Sequence, residues 1–180
     1  MVTAGPFIAS IGLVSTGDER AAIAAFGVGS YFSLVLGALI TGRVHFGTPL
    51  PTPFKPVLSI IVSPPATAGL AWFAITGGRV DDLQVAITGV TPFLLLVQLF
   101  LLPDYLGLRF TAPHWVFTFP LAVLGNLAVR WSADLGGDGW AAFAWVVLAI
   151  TTALILLIAA GTIRGVVRWS TERALRSRKA

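Results

Sequence analysis

Three hydroxyls, Ser59, Ser63 and Thr67, recur at four-residue spacing in the run PVLSIIVSPPATAGLAW, and Pro64 and Pro65 lie between the last two. On an α-helix this spacing stacks the three on one face. There they either offer O–H donors to a passing anion or bond back to carbonyls of their own helix, and the residues alone leave both roles open. A second constellation, Thr118, Phe119 and Pro120, stands in HWVFTFPLAVLGNLAVRWS, which has no ionisable side chain between His114 and Arg130. Pro120 removes a backbone donor and crowds the carbonyl four residues earlier, which predicts a bend or break near Val116 and Phe117. Inside a bilayer, freed carbonyls are tolerated only against protein or a water-filled cavity. A proline-broken span therefore points to a pathway.

The chemistry that is missing narrows the function further. No apolar stretch carries a central Asp, Glu, Lys, Arg or His, so the relays of proton-coupled carriers are absent. The lack of cysteine excludes disulfides and thiolate metal sites. His45 and His114 lie in or beside loops with no carboxylate at ligand spacing. There is no nucleotide-binding loop, no HExxH and no Ser/His/Asp set that could meet. The reading is a non-enzyme with no cofactor and no metal site.

The elements that must position these residues are membrane spans. Of 180 residues 56% are hydrophobic and 11% charged, with a mean hydropathy of +0.87. A soluble domain carries about 25% charged residues, so the chain is predicted to be an all-α integral membrane protein. Six spans are expected, over about 3–16, 21–41, 57–76, 83–102, 113–131 and 140–163, followed by a basic tail over 164–180. The first, at 1.5 Å per residue, reaches about 21 Å and falls short of the roughly 30 Å hydrocarbon core. Spans one, three and five each carry proline (Pro6, Pro64 with Pro65, Pro120); Pro92 lies inside span four and Pro103 is expected to end it. Ala21, Ala25, Gly29, Ser33, Gly37 and Thr41 form a small-residue stripe on span two, a predicted helix–helix contact.

Placing both termini in the cytoplasm puts nine Lys/Arg inside (Arg43, Lys55, Arg109 and six in the tail) and three outside (Arg20, Arg79, Arg130). That asymmetry selects the orientation. Asp18, Asp81 or Asp82, and Asp138 then precede spans two, four and six on the outer side, as helix caps would. Trp115 and Trp169 mark the inner membrane level, Trp131 and Trp140 the outer. The tail is read as a contact for anionic lipid rather than nucleic acid.

The segments 56–72 and 114–132 resemble the paired signatures of the tellurite-resistance/dicarboxylate transporter family, also called the voltage-dependent anion channel family, which includes the slow-type anion channels of plant guard cells. The resemblance covers essentially the whole chain but only the second half of the family pattern, with the six spans corresponding to the fifth to tenth of ten. It implies five helical hairpins around a central pore, odd helices lining that pore, a homotrimer, and passage of small anions, inorganic or dicarboxylate such as malate. A phenylalanine of the family's ninth span occludes the pore, and its position before the proline in WVFTFP falls on Phe119. Phe117 points about 200° around the helix from it. Pore-lining or kinking positions would be Pro6, Ser59, Ser63, Pro64, Pro65, Thr67, Thr118 and Pro120. With four family spans missing, the expectation is a truncated channel or transporter in the cell membrane. The alternative is a non-conducting membrane scaffold assembled through small-residue packing.

Overall fold

The computed structural model describes residues 3–48, 50–108, 110–137 and 139–177, with backbone alone for 53, 112 and 168–177. Proline chemistry sets its two distinctive segments. A 3-10 segment, Thr52–Val62, leads into the α-helix Ser63–Ile75, and a second, Ala112–Phe117, leads into Thr118–Leu135. Pro65 has no N–H for the Ile61 carbonyl in α winding, and Pro64 has none in 3-10 winding, so that carbonyl lacks an in-helix partner either way. At Pro120 the carbonyl of Val116 loses only its α partner, and three-residue winding ahead of the proline spares the bond; the amide of Thr118 donates to Trp115 in that pattern. The break falls at Phe117–Thr118, beside the predicted position.

We number the α-helices α1 (Ala4–Ser15), α2 (Glu19–Phe46), α3 (Ser63–Ile75), α4 (Asp82–Leu106), α5 (Thr118–Leu135) and α6 (Trp140–Ser177). Five helical segments among the described residues are long and apolar enough to cross a membrane, and α1, with 12 residues, is the shorter sixth. Several limits differ from the expected ones. Pro6 lies in the first turn of α1, where its missing N–H costs nothing, so it starts the helix and does not kink it. Pro103 does not end span four: α4 continues to Leu106. The third span begins with the 3-10 segment at Thr52, five residues ahead of the expected start and inside what the sequence assigns to a loop. Helix α6 runs on through the basic stretch to Ser177.

The side chain of Asp18 accepts from the amide of Ala21 at 3.0 Å, and that of Asp81 from Gln84 at 2.7 Å, so both cap their helices. Asp138 lies outside the described residues.

The core sits around α3. Half of the apolar window of Phe54–Ile75 is buried, against 6% for α2, 11% for α4 and none for that of α6. Helices α1, α3 and α5 pack side by side, α3 between the other two. Helix α2 lies against α1 and α3, α4 against α3 and its 3-10 lead, and α6 against α5 and its 3-10 lead. These three segments thus form an inner layer, backed by three longer helices with lipid-compatible surfaces.

The small-residue stripe of α2 is in part the predicted contact. A Cβ at Gly29 would come within 2.8 Å of the Phe7 ring of α1, whereas at Gly37 it would meet nothing within 4 Å. Close approach is confined to the half of α2 that faces α1, and Thr41 is exposed.

Candidate functional site

Three neighbours fix the orientation of α3. Ala68 and Ala71 pack with Phe7 of α1, and Ala66 and Phe73 with Val123 and Leu127 of α5. Gly69 meets α4, where an added Cβ would lie 2.6 Å from Thr88 Cγ2. At 100° per residue, Thr67 stands about 200° from Gly69, and Ser63 beside it. Both therefore occupy the inner side of α3, away from the backing helices.

Ser59, Ser63 and Thr67 are all buried, at 2–3% exposure. Thr67 Oγ1 donates back to the Ser63 carbonyl at 2.6 Å, while the hydroxyls of Ser59 and Ser63 have no partner among the described residues. Because Ser59 belongs to the 3-10 segment, its four-residue step to Ser63 turns through about 480° rather than about 400°, roughly 80° off the α register. With the Ile61 carbonyl, these hydroxyls give the centre of the inner layer an acceptor and two hydroxyls in need of water or another ligand. Pro64 and Pro65 are half-buried in the first turn of α3.

Thr118 Oγ1 donates to the Trp115 carbonyl at 2.8 Å, which helps to stabilise the 3-10-to-α switch. Pro120 is buried, and Phe119 is exposed by 36%. Phe117 goes elsewhere: its ring lies 5.2 Å from that of Tyr105 in a T-shaped contact and 6.1 Å from His114. The two phenylalanines therefore have different surroundings. The 3-10 lead is fastened at both ends, by the His114 ring nitrogen accepting from the Thr111 amide at 3.2 Å and by Trp115 Nε1 donating to Thr162 Oγ1 of α6 at 2.8 Å.

Sequence reasoning missed a polar seam on α4. Gln84 is fully buried, and neither atom of its amide has a partner among the described residues. Thr88 Oγ1 donates to the Gln84 carbonyl, and Thr91 is buried. Further along, the Tyr105 hydroxyl donates to Gln98 Oε1 at 2.8 Å while Gln98 Nε2 reaches the Leu58 carbonyl of the 3-10 segment at 3.4 Å. The spacing 84, 88, 91, 98, 105 follows one helix face and was the available signal. At the α4 N-terminus the backbone N–H of Gln84, and then the Trp72 indole N–H, hold the Asp81 carboxyl below its ordinary value. At the opposite end of the bundle Lys55 pairs with Asp104 at 3.1 Å.

Two proline-broken inner segments, a hydroxyl-bearing centre and lipid-compatible backing helices define a multi-span membrane protein. The sequence profile described as "Voltage-dependent anion channel" matches residues 2–163, and the chain belongs to that family. It is 23% identical to the guard cell S-type anion channel SLAC1 of Arabidopsis thaliana over 93% of this chain and 30% of that protein. It is 27% identical to the S-type anion channel SLAH4 of the same plant, over 71% of this chain and 35% of the relative. The chain thus spans about a third of the length of these relatives, which are named as channels and not as enzymes.

Proposed function

We propose that this chain lines part of a passive, gated path for small anions, with α1, α3 and α5 as the lining and Phe119 as the constriction. The observation that carries the reading is the inner layer itself. Two of its three segments switch from 3-10 to α winding at prolines, at Ser63 and Thr118, and one of them holds the buried hydroxyls of Ser59 and Ser63. Neutral hydroxyls and backbone dipoles suit an ion that must leave again, since conduction needs binding that is favourable but weak. Both inorganic anions and dicarboxylates such as malate fit that lining. The path is completed by further lining helices or by assembly of copies, a trimer by family resemblance, in a cell membrane with both termini cytoplasmic.

Anion currents in bilayers or oocytes, with surface expression matched, test the gate. Phe119→Ala should raise conductance well above the parent, because an aromatic ring in a narrow apolar lumen blocks by volume and by dewetting. Phe117→Ala, packed on Tyr105, should leave conductance near the parent. Equal currents for Phe119→Ala and parent, or a larger gain from Phe117→Ala, remove Phe119 from the gate. Silence of every variant favours a non-conducting scaffold.

A further inference from the structure

Helix α5 has one face that no other element covers among the described residues. Phe119, Ala122, Asn126 and Arg130 are all exposed, and at 100° per residue they fall within about 80° of arc. The flanking positions are engaged: Leu127 packs with α3, and a Cβ at Gly125 would meet Thr151 of α6 at 2.9 Å. Asn126 and Arg130 lie about 10 Å and 16 Å along the axis from Phe119, at 1.5 Å per residue, toward the end where α5 stops at Leu135. Arg130 makes no ion pair among the described residues, not even with Asp134 four residues on. A groove of about 830 Å³ between α5 and α6 opens beside this face, its walls including Asn126, Arg130, Trp140 and Trp145.

Among the described residues the same end of the bundle carries Asp18, Glu19, Asp81, Asp82 and Asp134 against Arg20, Arg79 and Arg130, a net negative field that disfavours anions away from the arginines. Arg130 reverses that field locally, and its planar guanidinium presents several donors to one oxyanion or halide. The Asn126 amide lies one turn below, between the guanidinium and Phe119.

We infer that Asn126 and Arg130 form a binding site for a small anion on the open face of α5, one that loads the path ahead of Phe119. The loading role rests on the pore reading above; the site itself does not. Arg130 captures by charge, and Asn126 donates an N–H as the anion leaves bulk water.

Trp140 and Trp145, in the same groove, report occupancy without any need for conduction. The full chain is purified in a phosphate-free maltoside detergent, and its tryptophan fluorescence is quenched with iodide or with neutral acrylamide. A unit charge concentrates a monovalent anion roughly fivefold at contact in water. Six tryptophans share the signal, so Arg130→Gln should lower the iodide slope by roughly a third to a half. Arg130→Lys should restore most of it, with acrylamide quenching unchanged throughout. Equal iodide slopes for parent and Arg130→Gln overturn the site, whatever the currents do. Loss of the Arg130-dependent increment on adding equimolar phosphatidylglycerol assigns the site to a lipid phosphate and overturns the free-anion inference. Currents of Phe119→Ala against Phe119→Ala with Arg130→Gln then judge the role. A clear fall supports loading, and no change places the site off the path. Absence of current from every variant defeats the pore reading, and quenching still decides the site.

Discussion

Two glycines on one stripe of α2 should respond oppositely to the same methyl group. At Gly29 the added Cβ would sit 2.8–3.1 Å from three atoms of the Phe7 ring, well inside ordinary contact. The ring has little room to retreat: Phe7 is 1% exposed, packs with Ala68 and Ala71 of α3, and tilts against Phe26 at 5.3 Å. Overpacking of this kind costs about 1–3 kcal/mol. Gly37 has open space at its Cβ, so Gly37→Ala should be neutral or gain up to about 1 kcal/mol from helix propensity. That propensity gain is common to both variants, so the difference between them isolates the steric term at about 1–3 kcal/mol. The assay is equilibrium unfolding in mixed micelles with rising dodecyl sulfate, followed by tryptophan fluorescence and far-ultraviolet circular dichroism. Coincident midpoints for Gly29→Ala and Gly37→Ala would refute the α1–α2 contact as described.

Other consequences are open to measurement. The Asp81 carboxyl is lowered by the backbone N–H of Gln84 and the Trp72 indole, so its contribution to stability is complete above the ordinary value of 3.8 and is lost as pH falls through the lower native value. Acid unfolding of Asp81→Asn should lack that component; an acid profile identical to the parent's counts against the cap. Gln84→Leu removes a buried side-chain amide with no partner among the described residues, and should stabilise by about 1 kcal/mol or more. A loss of stability instead would reveal a bound water holding that amide. Reporter fusions at Asp82 and Gly137 should read external and a fusion at Ala180 cytoplasmic, and an external Ala180 would overturn the orientation.

The winding breaks were legible because a proline's missing N–H is a covalent fact that acts on its own turn. The same holds for the caps at Asp18 and Asp81, where donor and acceptor are three residues apart. Helix limits were less so: Pro103 interrupts one hydrogen bond, and α4 continues through it to Leu106. The α4 seam, from Gln84 to Tyr105, depends on which face of α4 meets α3, and nothing within α4 settles that. Gly29 and Gly37 look alike in sequence, and only Phe7, supplied by another helix, tells them apart. Phe119 and Phe117 were separated by helix geometry alone, while the partners of Phe117, Tyr105 and His114, come from distant and neighbouring parts of the chain.

The central claim is that Phe119 closes a water-accessible path past the inner face of α3. The chain has no cysteine, so single thiols can be placed without background. Ser63→Cys puts one at the buried inner position, and Phe100→Cys puts one on α4 at a residue 84% exposed on the apolar surface. A membrane-impermeant anionic thiol reagent should modify position 63 slowly in the parent and much faster when Phe119→Ala is added, with position 100 unreactive in both. Equal labelling of position 63 with and without Phe119→Ala would contradict the claim.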